Sequence, residues 1–263
     1  MGKEIPKSGQ YSAPALEKGL DIVELLAESS PGLTQNQIAA RLGRSASELF
    51  RMIEVLERRG YLHRIPADGT YQITLKMFEL AHRQPPVKRL LDIALPRMHE
   101  LARTTSQSNH LVVHRDRRIL VLAQVDSPES MGFSVRLGAH FPFRADRVSA
   151  RVLAAFQTPE RSVQLIAEML HNAPNPTGRA SLVRSIDIIR KRGYEQHVSA
   201  TLPGITDLCF PILDRGGHAI ATLTQPYLRQ RDVRMSVVEA RIAHARIAMA
   251  ISGELGAAIQ GGE

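Results

Sequence analysis

Two capping signals sit close together in the first quarter of the chain, and they narrow the fold more than any other feature. Thr34-Gln-Asn-Gln37 and Ser45-Ala-Ser-Glu48 each place a hydroxyl three residues before a side chain that can reach back to it. That spacing ties down the free N–H groups at a helix start. The first signal leads into Ile38, Ala39 and Leu42, and Gly43 leaves room only for a tight turn before the second. From Ser45 to Gly60, Leu49, Met52, Ile53 and Leu56 recur at helical spacing, so one face packs inward. Ser47, Arg51, Glu54 and Arg58 fall on the other face with Phe50 at its edge, and Gly60 closes the helix at C′. Upstream, Ala13–Ser29 carries an apolar stripe at Leu16, Leu20, Val23 and Leu26 or Ala27. Downstream, Tyr61–Ile65 and Thr70–Ile73 flank Asp68-Gly69 as two strands of a hairpin. Three helices and a hairpin in this order predict a winged helix-turn-helix over 13–75, after a flexible tail at 1–12.

Such a unit reads double-stranded DNA by laying its second short helix in the major groove, where arginine, serine and phenylalanine reach base edges, thymine methyls and phosphates. The residues placed for contact are Gln35, Arg44, Ser45, Ser47, Phe50, Arg51 and Arg64. Between Arg41 and Arg64 there are six arginines against three glutamates, and the whole chain carries a formal charge of +8. Both favour a polyanionic partner, nucleic acid ahead of anionic lipid. The alternatives are an inert basic surface and a helical head used only for protein contact. Ser45 and Glu48 stand at capping spacing, and a glutamate facing the groove would repel phosphate. Ser47, Phe50 and Arg51 are therefore the better reading residues.

With 263 residues, 43% of them hydrophobic, the chain can bury one large core or two modest ones. No apolar run is long enough to span a bilayer, and the charged N-terminus lacks the apolar stretch of a secretory signal. A single cysteine makes no intrachain disulfide. These features predict a cytoplasmic protein without a membrane partner. Beyond the hairpin, Leu75–His82 and Val87–Thr105 read as linker helices (76–105), broken at Pro85-Pro86 and kinked or restarted at Pro96. Paired between subunits, they would suit a dimer reading two half-sites. The body, 106–263, offers strands at 109–114, 119–125 and 133–137 and a helix at 147–156 capped by Asp146 or its neighbour. Helices from Thr158-Pro159 and over 177–192 follow, then strands at 194–200, 206–213 and 218–226, and a closing helix at 231–255. The predicted class is α+β, with a largely antiparallel sheet flanked by helices.

Signals for catalysis are weak. Cys209 lies between Leu208 and Phe210, where a lone cysteine is a small core residue. His110 and His114 share a strand face but stand about 13 Å apart, too far for one metal ion. No phosphate-binding loop, zinc pattern or nucleophile elbow is present. We expect no catalytic residue, no metal and no cofactor. The competing reading is a metabolite-binding module or enzyme with a non-functional head.

Over nearly its whole length the chain resembles the IclR family of transcriptional regulators. The matching segments are Ala15–Leu80, Gly138-Ala-His-Phe-Pro-Phe-Arg-Ala-Asp-Arg-Val-Ser-Ala-Arg-Val-Leu-Ala, Ile189-Arg-Lys-Arg-Gly-Tyr194 and Gly204-Ile-Thr-Asp-Leu-Cys-Phe-Pro-Ile212. The resemblance implies a GAF-like, effector-binding body, a DNA operator as partner, and homodimers or homotetramers. There are departures. Glu48 replaces the second residue of the family's usual Ser-Thr pair. Phe143, Arg144, Ala145 and Asp146, then Ser149, Ala150 and Arg151, stand where the family has Leu-His-Ala-Thr/Ser and Gly-Lys-Ala. Asp207 replaces a cysteine or small polar residue of the pocket strand. By position, a small-molecule effector would meet Arg144, Asp146, Arg147, Val148, His197, Asp207 and Thr224. Arg144, Arg147 and Arg151 are spaced to share a face, so one could clamp a carboxylate; equally they could edge a solvated helix or pair with Asp146. Asp207 either enters the pocket, where it needs a donor or a cation, or points to solvent.

Overall fold

The computed structural model describes residues 13–83, 85–172, 178–199, 202–229 and 235–258. It comprises two compact units, with the division between Lys88 and Arg89. The expected tail at 1–12 lies outside the described residues, as do Ala200 of one predicted strand and 231–234 of the predicted closing helix.

The first unit contains α1 (Pro14–Ala27), α2 (Gln35–Leu42), α3 (Ala46–Arg58), β1 (Leu62–Arg64), β2 (Tyr71–Ile73) and α4 (Lys76–His82). Thr34 and Gln37 form the full reciprocal capping box, and Gly43 ends α2 in the left-handed region at φ 62°. Ser45 caps α3 by accepting from the Glu48 N–H at 3.3 Å. The return half of that box is missing, because the Glu48 carboxylate is drawn instead to Lys18 at 2.5 Å and Arg44 at 3.4 Å. Ile22, Leu26, Ile38, Leu49, Ile53 and Leu62 make the core. β1 and β2 pair antiparallel, and Leu33 adds a bridge to Tyr71 that local patterning did not announce.

The second unit is built on one six-stranded antiparallel sheet. Its strands are β3 (Asn109–Arg115), β4 (Arg118–Val125), β5 (His140–Pro142), β6 (Glu195–Val198), β7 (Ile205–Leu213) and β8 (Ala219–Leu228), in spatial order β5-β4-β3-β8-β7-β6. One face meets α6 (Val148–Ala155), α7 (Pro159–His171) and α8 (Arg179–Arg192), with Val112, Val121 and Cys209 in that core. The other meets α5 (Pro85–Thr105) and α9 (Val237–Leu255), with Leu111, Phe210, Ile212 and Leu223 between them. Strand alternation divides the two cores: Cys209 belongs to one and Phe210 to the other.

Several expectations need correcting. The expected break between α4 and α5 is present, but the second helix starts at Pro85 rather than Val87: Pro85 and Pro86 open α5, where the missing N–H would have no partner anyway. Pro96 sits inside α5, which runs through it without a restart. Phe133–Leu137 is not a strand; on the side away from β3, β4 pairs with β5, Leu120 lying opposite His140. Asp146 does not cap α6: the N-cap is Arg147, and it makes no side-chain cap. α9 has its own capping box, Ser236 with Glu239. Thr34→Ala should cost the first unit about 1 kcal/mol, seen as a lower urea midpoint at unchanged slope.

Candidate functional site

In the first unit, Leu49 and Ile53 anchor α3 and leave its opposite side to solvent. Phe50 is 52% exposed on this side. Ser47 and Arg51 are also exposed on this side, and no hydrogen bond or ion pair among the described residues occupies the Arg51 guanidinium. Ser45 is the helix cap and lies 3.3 Å from the Ser47 hydroxyl. Arg44 is drawn to Glu48 and, at 3.7 Å, to Asp21. Gln35 donates to the Ala46 carbonyl at 2.9 Å, so its side chain docks α2 on α3. Arg64 extends from the hairpin, 5.9 Å from the Tyr71 ring centroid. Hydrogen bonding to Lys18, with the charges of Lys18 and Arg44, holds the Glu48 carboxyl below its usual range.

The second unit holds a cavity of about 120 Å³ between the sheet and the start of α6. Six of the seven residues expected at an effector site line it: Asp146, Arg147, Val148, His197, Asp207 and Thr224. Arg144 does not; it turns to Asp146 at 3.0 Å. Register explains the grouping. His197 lies opposite Asp207, Cys209 opposite Thr224, and Thr224 opposite His110, so alternate residues of four strands share one face. Val148 and Ser149 are the first residues of α6, whose uncapped N-terminus therefore borders the cavity.

The three arginines at 144, 147 and 151 do not share one role. Arg151, buried in α6, grips Glu195 of β6 through Nε at 2.9 and 3.0 Å and Nη2 at 2.5 Å, and also donates to the Ala145 carbonyl. Arg147 alone lines the cavity: its guanidinium lies 5.1 Å from the Phe141 ring centroid and its buried Nε has no partner among the described residues. Burial pushes the Asp207 carboxyl up to about 6, against the pull of His197, Arg147 and Arg151. Burial also lowers His110 to about 4, so that imidazole is neutral at ordinary pH. Cys209 is held at about 12 by the same cause and stays a thiol.

Local sequence reasoning missed His110, Phe133, Val135, Phe141 and Ser149. His110 could have been found from its alternation with Val112. Ser149, whose hydroxyl is 3.1 Å from that of Thr224, needed the tertiary contact. His114 pairs with Glu168 of α7 at 2.7 Å and does not line the cavity. Among the described residues no group of three or more histidine, cysteine or acidic side chains could hold a metal, and no helix is long and apolar enough to cross a membrane.

Comparison with known proteins adds to this geometry. The family profile "IclR helix-turn-helix domain" matches residues 15–66, and "Bacterial transcriptional regulator IclR C-terminal" matches 87–252. The glycerol operon regulatory protein of Streptomyces coelicolor is 27% identical over 92% of this chain and 96% of its own. The transcriptional regulator KdgR of Escherichia coli is 25% identical over 93% and 94%. An IclR homolog of Microbacterium hydrocarbonoxydans, crystallised with 4-hydroxybenzoate, shares the fold at a TM-score of 0.73 and 22% identity, over 92% of this chain and 98% of that one.

Glu195→Gln should strand the Arg151 guanidinium and destabilise the second unit by about 3–5 kcal/mol. Chemical denaturation followed by circular dichroism would register that loss; an unchanged midpoint would mean the pair contributes nothing.

Proposed function

Because the chain belongs to the IclR family of transcriptional regulators, we propose that it controls transcription by binding a specific operator through Ser47, Phe50 and Arg51 of α3, and that a small organic metabolite with an anionic group, held in the second unit, modulates that binding. The observation that carries the first half is the exposed Phe50 and Arg51 on a helix fixed from behind by Leu49 and Ile53. The cavity supports the second half. Its lining combines Arg147 with an uncapped helix start, two groups that favour a carboxylate. The ligand-bound Microbacterium relative, which carries a small organic acid, is consistent with it. The ligand would act by binding one arrangement of the protein more tightly than another. The setting is cytoplasmic and the working form a homodimer or homotetramer. Supporting the oligomer, α4 and its start expose Leu75, Met77 and Leu80, and α9 exposes Val238, Ile242 and Met249.

A gel shift against the DNA upstream of the chain's own gene tests the first half. We expect sequence-selective, salt-sensitive binding; its absence at every protein concentration overturns the regulator reading and favours a metabolite-binding module. Arg51→Ala should cost about 1–3 kcal/mol and relax preference at one base position. A loss equal across all sequences would make Arg51 a phosphate contact instead. Leu75→Asp should shift the chain to a lighter species in analytical ultracentrifugation and weaken operator binding with it.

A further inference from the structure

We propose that the ligand of the second unit's cavity is a small zwitterion of the amino-acid type, with its carboxylate at Arg147 and the start of α6 and its ammonium at Asp207. This inference rests on the effector-site reading above and adds to it the group opposite the carboxylate. It comes from the charges that face the cavity. Two carboxylates and one guanidinium are presented by Asp146, Asp207 and Arg147. Asp146 is already matched by Arg144 at 3.0 Å, outside the lining. Arg151 is matched by Glu195 within the core. His110, lowered to about 4, contributes no charge. What remains is Arg147 and Asp207, neither held in an ion pair at short range among the described residues. His197 lies opposite Asp207 on the neighbouring strand, and the charges of His197, Arg147 and Arg151 act on that carboxylate from a distance.

Neither is satisfied by a hydrogen bond at its polar end: Arg147 meets the Phe141 ring, and Asp207 feels only the more distant charges of His197, Arg147 and Arg151. The Nε of Arg147 is buried without a partner, and no donor among the described residues hydrogen-bonds the Asp207 carboxylate. Across the strands Asp207 has His197 on β6 and Pro226 on β8, and a proline offers no N–H. A half-buried carboxylate left this way is costly unless something brings it a donor or a cation. A plain carboxylic acid would satisfy Arg147 and repel Asp207. A simple amine would do the reverse. A molecule carrying both groups satisfies both ends. Size agrees: 120 Å³ is well short of a drug-sized site.

The pH dependence separates the alternatives by sign. The groups facing Asp207 are His197 and Glu195 from β6, Arg147 at the N-cap of α6 and Arg151 within it. With Asp207 at about 6 in the empty protein, protons compete with an ammonium for it, so a zwitterion binds less tightly as pH falls below that value. An anion without an amine binds better as pH falls, because protonation removes the repulsion. His197→Gln carried in both arms keeps the rim imidazole from contributing.

The experiment screens the full-length chain by thermal shift and calorimetry against matched pairs: glycine with acetate, alanine with propionate, serine with 3-hydroxypropionate, and 4-aminobutyrate with butyrate. We expect at least one amino acid to bind at least about tenfold more tightly than its des-amino partner, with affinity falling from about pH 7 to about pH 5. Asp207→Asn should erase the gap, and Arg147→Gln should weaken both members of the pair. If Asp207→Asn does not fold by circular dichroism, the sign of the pH dependence in the His197→Gln protein decides. Des-amino acids that bind as well as the amino acids, or a gap that survives Asp207→Asn, overturn the zwitterion while leaving an organic-acid sensor intact. Failure of every compound to bind overturns the zwitterion as the ligand class.

Discussion

The second unit depends on a buried charge pair. α6 is buried along its whole length, between the sheet and α7 and α8, and a guanidinium lies inside it. Arg151 is tolerable there only because Glu195 meets its fork and the Ala145 carbonyl takes a further N–H. That arrangement ties three separate pieces together: the edge strand β6, the loop ahead of α6, and α6 itself. These same pieces carry His197, Arg147 and Ser149 to the cavity. The pair also keeps one arginine out of the cavity lining. With Arg151 satisfied internally and Arg144 turned to Asp146, the cavity keeps a single unmatched guanidinium.

The sheet puts this arrangement to work by separating its faces. Along β7, Asp207 and Cys209 face the cavity side, while Phe210 stacks on Tyr194 with ring centroids 5.0 Å apart on the side of α9. One strand thus presents a polar residue to the cavity and fixes its own position with the residues between. α3 in the first unit follows the same rule at helical spacing. Leu49 and Ile53 are buried, so Phe50 and Arg51 can be held in water at a defined orientation.

The head was largely legible from sequence because its determinants are local. A hydroxyl and a glutamine three residues apart, a glycine at a left-handed position and a hydrophobic stripe can all be read from a dozen residues. Even there, Glu48 escaped its predicted role, since Lys18 of α1 is distant in sequence and its charge outcompetes the capping geometry. The body was legible in its elements but not in its pairing. Phe133 and Val135 alternate as a strand would, yet they line the cavity rather than join the ladder. Alternation records only that two side chains share a side, and a cavity wall uses that as readily as a sheet does. Six of the expected effector residues were brought together, but which arginine would be free was invisible, because Glu195 lies far along the chain from Arg151.

Asp207 is where the sequence and the fold disagree most with a pure packing account. Its neighbours on β7 toward the core are apolar, its carboxyl is pushed up to about 6 by burial, and the described residues give it no hydrogen bond. An apolar residue would fit the strand at lower cost, so stability does not explain an aspartate there. A carboxylate in the proposed effector site would instead act through exclusion. It would make binding unfavourable for any anion that brings no compensating donor, and so would narrow the range of acids able to occupy the Arg147 end. Discrimination of this kind depends on the carboxylate being left without an internal partner, because a satisfied aspartate would be indifferent to what entered beside it.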